Sequence, residues 1–334
     1  MGRITRIKTP IHFRSFASVG GYEERNGPLG DKFDFCDLSD KFGQKTWEIA
    51  EAEMGRVALN IAMSKASLSH EDLELLVAGD LQNQCVASST GLSGFGIPFL
   101  GVYGACSTCT ESLMTLSSFI DSSENMMFGA ALTTSHNSAA ERQFRTPIEY
   151  GGQRAKTAQW TSTAAGAFIL ERGEGQVMIT EYMPGRIVDG ATSDGANMGG
   201  AMAFSAYDSI FAYFSESDTD FRDFDYIVTG DLGKVGSGIL EDLLKTNLPG
   251  SEKLHTDCGL LLYDFNNQDT HSGASGCGTS ASVLACHFLP LLKEGRLKKI
   301  LFMSTGALMS PSSLLQGENI YGIAPLIVIE SRSV

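Results

Sequence analysis

Gly104-Ala105-Cys106-Ser107-Thr108-Cys109 follows a short apolar run and opens a helical pattern, which puts a thiol at a strand-to-helix turn. Unpaired backbone N–H groups and the positive end of a helix dipole meet at such a turn, and both favour thiolate. Cys106 is therefore a candidate nucleophile. The competing reading is a small buried side chain, the common fate of a free cysteine. Cys106 and Cys109 also form a Cys-x-x-Cys pair at a strand-to-helix junction, the context of a thioredoxin-like dithiol. A zinc site is the weaker reading, because His255-Thr256-Asp257-Cys258 supplies no second pair of standard spacing.

Two further groups lie downstream. Ser135-His136-Asn137 follows a strand pattern at the carboxyl edge where open α/β sheets bind ligands, with a surface-loop histidine as the plainer alternative. The segment from Glu141 to Lys156 (ERQFRTPIEYGGQRAK) offers Arg142, Arg145, Arg154 and Lys156, with Phe144 and Tyr150 as aromatic surfaces. Its plain alternative is a solvated or subunit-contact loop. Gly230 to Gly238 (GDLGKVGSG) lacks the Gly-x4-Gly-Lys-Ser/Thr spacing of a phosphate loop. No cofactor motif and no metal-ligand set is expected.

The elements that must position these groups read as α/β. Trp47 to Ala66 has apolar residues at helical spacing. Leu75–Ala78 and Ile97–Tyr103 read as short buried strands, followed by a helix from about Thr108 to Ile120 and a strand near Met126–Leu132. Ala165–Glu171 and Val177–Tyr182 read as two more strands around the turn Arg172-Gly173-Glu174-Gly175. The second half repeats the plan, in order. Tyr226–Leu232 mirrors Leu75–Leu81, Gly273-Ala274 mirrors Gly104-Ala105, Gly306–Leu308 mirrors Ala130–Leu132, and Leu326–Glu330 mirrors Ala167–Glu171. That order argues for a duplicated α/β unit, with halves at residues 1–174 and 175–334.

Composition narrows the function class. The 334 residues are 43% hydrophobic and 19% charged, enough apolar material for a core. A formal net charge of −14, with no Lys/Arg run, disfavours nucleic acid as a partner. Seven scattered cysteines are no disulfide framework and point to a reducing compartment. No stretch approaches 18 apolar residues, and the basic N-terminus is not followed by an apolar signal region. A soluble, cytoplasmic-facing protein is expected.

Two similar α/β halves with an Ala-Cys-Ser-Thr turn in the first resemble the thiolase superfamily, which includes the ketoacyl synthases. Within it, several segments resemble the stage V sporulation protein AD family. They are Ala78–Gln84, Gly104–Thr108, Ser135–Asn137, Glu141–Arg145, Glu149–Gln153, Asp257–Leu260 and Ser275–Cys277, spread over about residues 28 to 330. The resemblance implies a five-layered αβαβα thiolase-like fold, a homodimer built from the first-half sheet, and a role in loading dipicolinate (pyridine-2,6-dicarboxylate) into the forespore. It also implies a place at the inner forespore membrane and other stage V sporulation membrane proteins as partners.

The same resemblance shows what the chain lacks for Claisen chemistry, which needs second-half groups that polarise a thioester carbonyl and move protons. Asp231 stands where ketoacyl synthases place a histidine, and an anion cannot donate to a developing oxyanion. The position of the family's second histidine falls at Thr270, with His271 one residue late, and no cysteine lies near Ser304-Thr305. A binding protein is the leading expectation, holding dipicolinate alone or as its calcium chelate. The alternatives are an acyltransferase using Cys106, with a base such as His136, and a Cys106/Cys109 dithiol redox protein. The expected ligand residues are Cys106, His136, Asn137, Glu141, Arg142 and Arg145, with the Arg154–Lys156 end of the loop as the fallback. An aromatic dicarboxylate calls for planar guanidinium forks and a ring surface.

Overall fold

A computed structural model describes residues 3–144 and 153–332. Ten strands form its frame: β1 (Ile11–Gly20), β2 (Leu75–Gly79), β3 (Phe99–Gly101), β4 (Phe128–Ser135), β5 (Ala164–Arg172), β6 (Val177–Met183), β7 (Tyr226–Thr229), β8 (His255–Asp257), β9 (Lys299–Met303) and β10 (Leu326–Ser331). The first five lie in the order β3-β2-β4-β5-β1 and the last five in the order β8-β7-β9-β10-β6. Each set thus runs third, second, fourth, fifth, first. The directions repeat as well: β2 is parallel to β3 and β4, and β7 to β8 and β9, while the remaining pairs are antiparallel. The sets meet through one residue pair, His12 with Met178. The fold is α/β, built from two copies of one five-stranded unit.

Strand alternation divides the apolar residues among three cores. Val77, Ala131, Phe168 and Leu170 face a central core that also holds Val228, Ile300, Phe302 and Ile327. Between the sheets run α3 (Thr108–Ser122) and α7 (Cys277–Val283), the latter continued by a π turn over Leu284–Phe288. Leu76, Ala78, Ala130 and Leu132 face the other way, onto α1 (Trp47–Ala66). Ile227, Leu301, Met303 and Val328 likewise face α5 (Met198–Glu216) and α6 (Gly233–Asn247). Helices and sheets therefore stack as αβαβα.

The expected α1 forms over the expected residues because Thr46 caps it, its side chain accepting from the Ile49 N–H at 3.3 Å. Ser67 then ends it in the left-handed region at φ 58°. Two expectations need correction. Ile97–Tyr103 is no buried strand: only Phe99–Gly101 pairs, on one side, and all three residues are exposed because β3 is a sheet edge. Gly306–Leu308 is not the counterpart of Ala130–Leu132. The topological partner of β4 is β9, and Gly306–Leu308 joins a separate small sheet with Tyr321–Ile323 and Val188–Asp189. No described helix is long and apolar enough to cross a membrane.

Candidate functional site

The Cys106 turn is held by hydroxyls. Ser107 donates to the Gly104 carbonyl at 2.6 Å, Thr108 donates to the Ala105 carbonyl at 2.6 Å, and Ala105 takes a left-handed φ of 53°. A left-handed alanine is uncommon, and here the surrounding bonds enforce it. Gly306 must be glycine, since a Cβ there would lie 2.3 Å from the Gly104 carbonyl oxygen. That close approach brings the small second-half sheet against the Cys106 turn.

Opposite Cys106 stands Ser275, its Oγ 3.9 Å from the Sγ. Behind both lies Asp231, at the end of β7 and fully buried. Its carboxyl accepts from the Gly276 N–H at 2.9 Å, from Thr305 Oγ at 2.8 Å and from Ser275 Oγ at 3.3 Å. Burial pushes the Asp231 carboxyl up to about 7, despite hydrogen bonds from Cys106, Thr305 and Gly276 that favour its charged form. Burial also pushes the Cys106 thiol well above its ordinary range, and the neighbouring Asp231 adds to the shift. The thiolate expected from the helix N-terminus is thus outweighed: desolvation and an adjacent acid hold Cys106 as a thiol. Cys109 is fully buried in the central core, and burial pushes it to about 12.

Cys106 and Ser275 open into a cavity of about 530 Å³, within the range of small-molecule sites. Its wall takes Ala140, Glu141 and Phe144 from α4 (Asn137–Phe144), then Arg154 and Thr161, with Met198, Met309 and Leu314 on the second-half side. Arg154 stacks over the Trp160 ring with its guanidinium carbon 4.9 Å from the centroid. Its Nη2 donates to the Asp269 carbonyl and lies 3.1 Å from the Asp269 carboxylate. Its Nη1 is buried and has no hydrogen-bond partner among the described residues. No described cluster of three or more His, Cys, Asp or Glu residues is placed to hold a metal.

The structure brings together only part of the expected set. Cys106 and Glu141 line the cavity. His136 lies outside its lining, tilted against the Trp47 ring at 5.4 Å, with Nε2 2.7 Å from the Asp40 carbonyl oxygen. Burial lowers its pKa, against the raising influence of Asp40 and Glu48. Asn137 ties α4 to the Trp160-Thr161 segment, donating from its side chain to the Thr161 carbonyl at 3.0 Å. Arg142 faces α1 and pairs with Glu48. Arg145 and Glu149–Gly152 fall outside the described residues. Arg154, Thr161 and Ser275 are polar cavity residues outside the set expected first from the sequence.

Comparisons with known proteins span nearly the whole chain. A family model described as Stage V sporulation protein AD matches residues 2–330. Stage V sporulation protein AD of Bacillus subtilis (strain 168) is 40% identical over 321 residues, covering 96% of this chain and 94% of that protein. The chain belongs to the stage V sporulation protein AD family. Solved structures place this family member among thiolase-like folds. The 3-oxoacyl-[acyl-carrier-protein] synthase III of Aquifex aeolicus VF5 superposes with a TM-score of 0.58 at 13% identity, over 95% of this chain and 99% of that one. An OleA variant of Xanthomonas campestris superposes with a TM-score of 0.61 at 12% identity, over 97% of this chain and 100% of that one. At such identities the likeness is one of fold. The family member keeps the two-fold plan of those chains and sets an acid, Asp231, beside its cysteine.

Proposed function

We propose that this chain binds dipicolinate in the cavity above Cys106, alone or as its calcium chelate, and passes it toward the forespore without turning over a thioester. The observation that carries this reading is the Arg154 guanidinium. Arg154 lines the cavity, and its buried Nη1 has no hydrogen-bond partner among the described residues, which is costly until an acceptor comes within reach. A ligand carboxylate is such an acceptor, and the planar fork suits it better than a lysine would. The apolar walls from Phe144, Met198, Met309 and Leu314 suit an aromatic ring. Against acyl transfer, no imidazole lines the described cavity, and Cys106 is held protonated beside Asp231.

In this reading the chain works as a homodimer, paired through the exposed β3 edge with Phe99, Leu100 and Tyr103 on its surface. It acts at the inner forespore membrane beside membrane-bound stage V sporulation proteins. The test is calorimetric titration with dipicolinate, with and without calcium. Saturable binding is expected, weakened about ten- to a hundredfold in Arg154→Ala, the value of one charge-assisted contact. Absence of binding in the wild type, or Cys106-dependent release of CoA from acetoacetyl-CoA, would overturn the reading.

A further inference from the structure

His271 is the second-half histidine that lies one position late for Claisen chemistry, and the structure places it in a chain of contacts leading to the cavity. Its Nδ1 lies 2.8 Å from the Ala155 carbonyl oxygen and its Nε2 lies 2.9 Å from the Asp269 carboxylate. The other oxygen of that carboxylate lies 3.1 Å from Arg154 Nη2. Both ring nitrogens therefore face acceptors, and only the doubly protonated imidazolium can donate to both. His271 also takes a left-handed φ of 50°, an uncommon conformation for this residue type outside turns that need it.

We propose that Asp269 and His271 are positioning residues for the Arg154 anchor, a clamp that holds its guanidinium at the cavity wall for a bound carboxylate. The inference rests on the dipicolinate reading for its ligand and on the contacts alone for the clamp. The roles divide by charge. Asp269 fixes the guanidinium from one side while Trp160 supports its face. His271 in its imidazolium form shares the Asp269 carboxylate, which leaves the Arg154–Asp269–His271 cluster with a net positive charge. When His271 is neutral, Asp269 cancels Arg154 and the cluster has none. Anion affinity should thus be higher when the imidazole carries its second proton, and so higher at lower pH.

Among the described residues, the charged groups paired with His271 are Asp269 directly and Arg154 through it. Asp231, near the cavity floor, also charges as pH rises, so the comparison is drawn between variants at each pH. Dipicolinate is titrated into wild type and His271→Gln at intervals between about pH 5.5 and pH 8.5, where model carboxylates stay ionised. His271→Gln should match the wild type at the alkaline end. It should bind about two- to fivefold more weakly at the acidic end, the size expected of one partly exposed charge. Parallel pH profiles would overturn the clamp.

A second measurement needs no ligand. Labelling of Arg154 by phenylglyoxal, mapped by mass spectrometry, should speed up severalfold in Asp269→Ala because the guanidinium loses its restraint. An unchanged rate would overturn the clamp whatever the ligand is. If the wild type fails to bind dipicolinate while labelling responds as expected, the ligand assignment falls and the clamp stands.

Discussion

Gly79-Asp80 and Gly230-Asp231 end topologically equivalent strands, β2 and β7, and their aspartates do different work. Asp80 is used locally: its carboxylate accepts from the Gln82 N–H at 2.9 Å, the Ser88 N–H at 2.8 Å and the Ser88 hydroxyl at 2.6 Å. It fastens the loop and the first turns of Val86–Leu92. Asp231 instead reaches across to Gly276, Thr305 and Ser275 beside Cys106. The local duty in the second half passes to Asp257, at the end of β8, which accepts from the Leu232 and Gly233 N–H groups at 2.8 and 3.0 Å. Duplication supplied two equivalent acids, and a third acid released one of them for the cavity floor.

The comparison breaks most visibly through stability. Asp80→Ala and Asp257→Ala should each cost about 3–5 kcal/mol, since each strands buried backbone N–H groups. Asp231→Asn should cost far less, about 1 kcal/mol, because an amide oxygen can still accept while a buried charge disappears. Denaturant unfolding measures the three side by side. Equal losses would show that Asp231 is as structural as its counterpart.

A second consequence concerns pH. Burial raises Asp231 to about 7 and Glu24 to about 7, and burial together with the charge of Asp80 raises Glu51 to about 8. These carboxyls hold protons in the folded chain that the unfolded chain releases near pH 4. These acids therefore make stability fall as pH rises from about 4 through about 8, while His287, which burial lowers to about 4, opposes them below about pH 6.5. Melting temperatures should decline by several degrees over that range, and Glu51→Gln and Asp231→Asn should each flatten the decline. A stability that increases toward pH 8 would contradict the buried-acid picture.

The smallest effect sharpens the site boundary. Arg142→Ala removes a partly exposed ion pair with Glu48 and should cost at most about 1 kcal/mol. It should leave dipicolinate affinity within about twofold, since Arg142 lines none of the cavity. A tenfold loss would bring the α4 arginines back into the site.

Much of this architecture is legible in the chain because it is local. The α1 stripe of small and apolar residues, the alternating strands and the Gly104–Cys109 turn each carry their own signal over a few residues. Cys106 was findable for that reason. The meeting of Cys106 with Ser275 is not, because it depends on how α3 and α7 pack between two sheets. Arg154 and Arg142 sit in one basic segment and look equivalent as letters. Only the direction of α4 separates them, sending Arg142 to Glu48 while Glu141 faces the cavity. His136 misled for a related reason: a strand-end histidine reads as a site residue until Trp47 is seen packed on it.

If Cys106 floors a binding cavity and is not a reacting thiol, its alkylation should be slow and should depend on what fills the cavity. The most direct test is alkylation of Cys106 by iodoacetamide at about pH 9, followed by mass mapping, with and without saturating dipicolinate. The account predicts slow labelling that dipicolinate suppresses, faster labelling in Asp231→Asn, and weaker protection in Arg154→Ala. Rapid labelling at neutral pH that dipicolinate does not slow would contradict it.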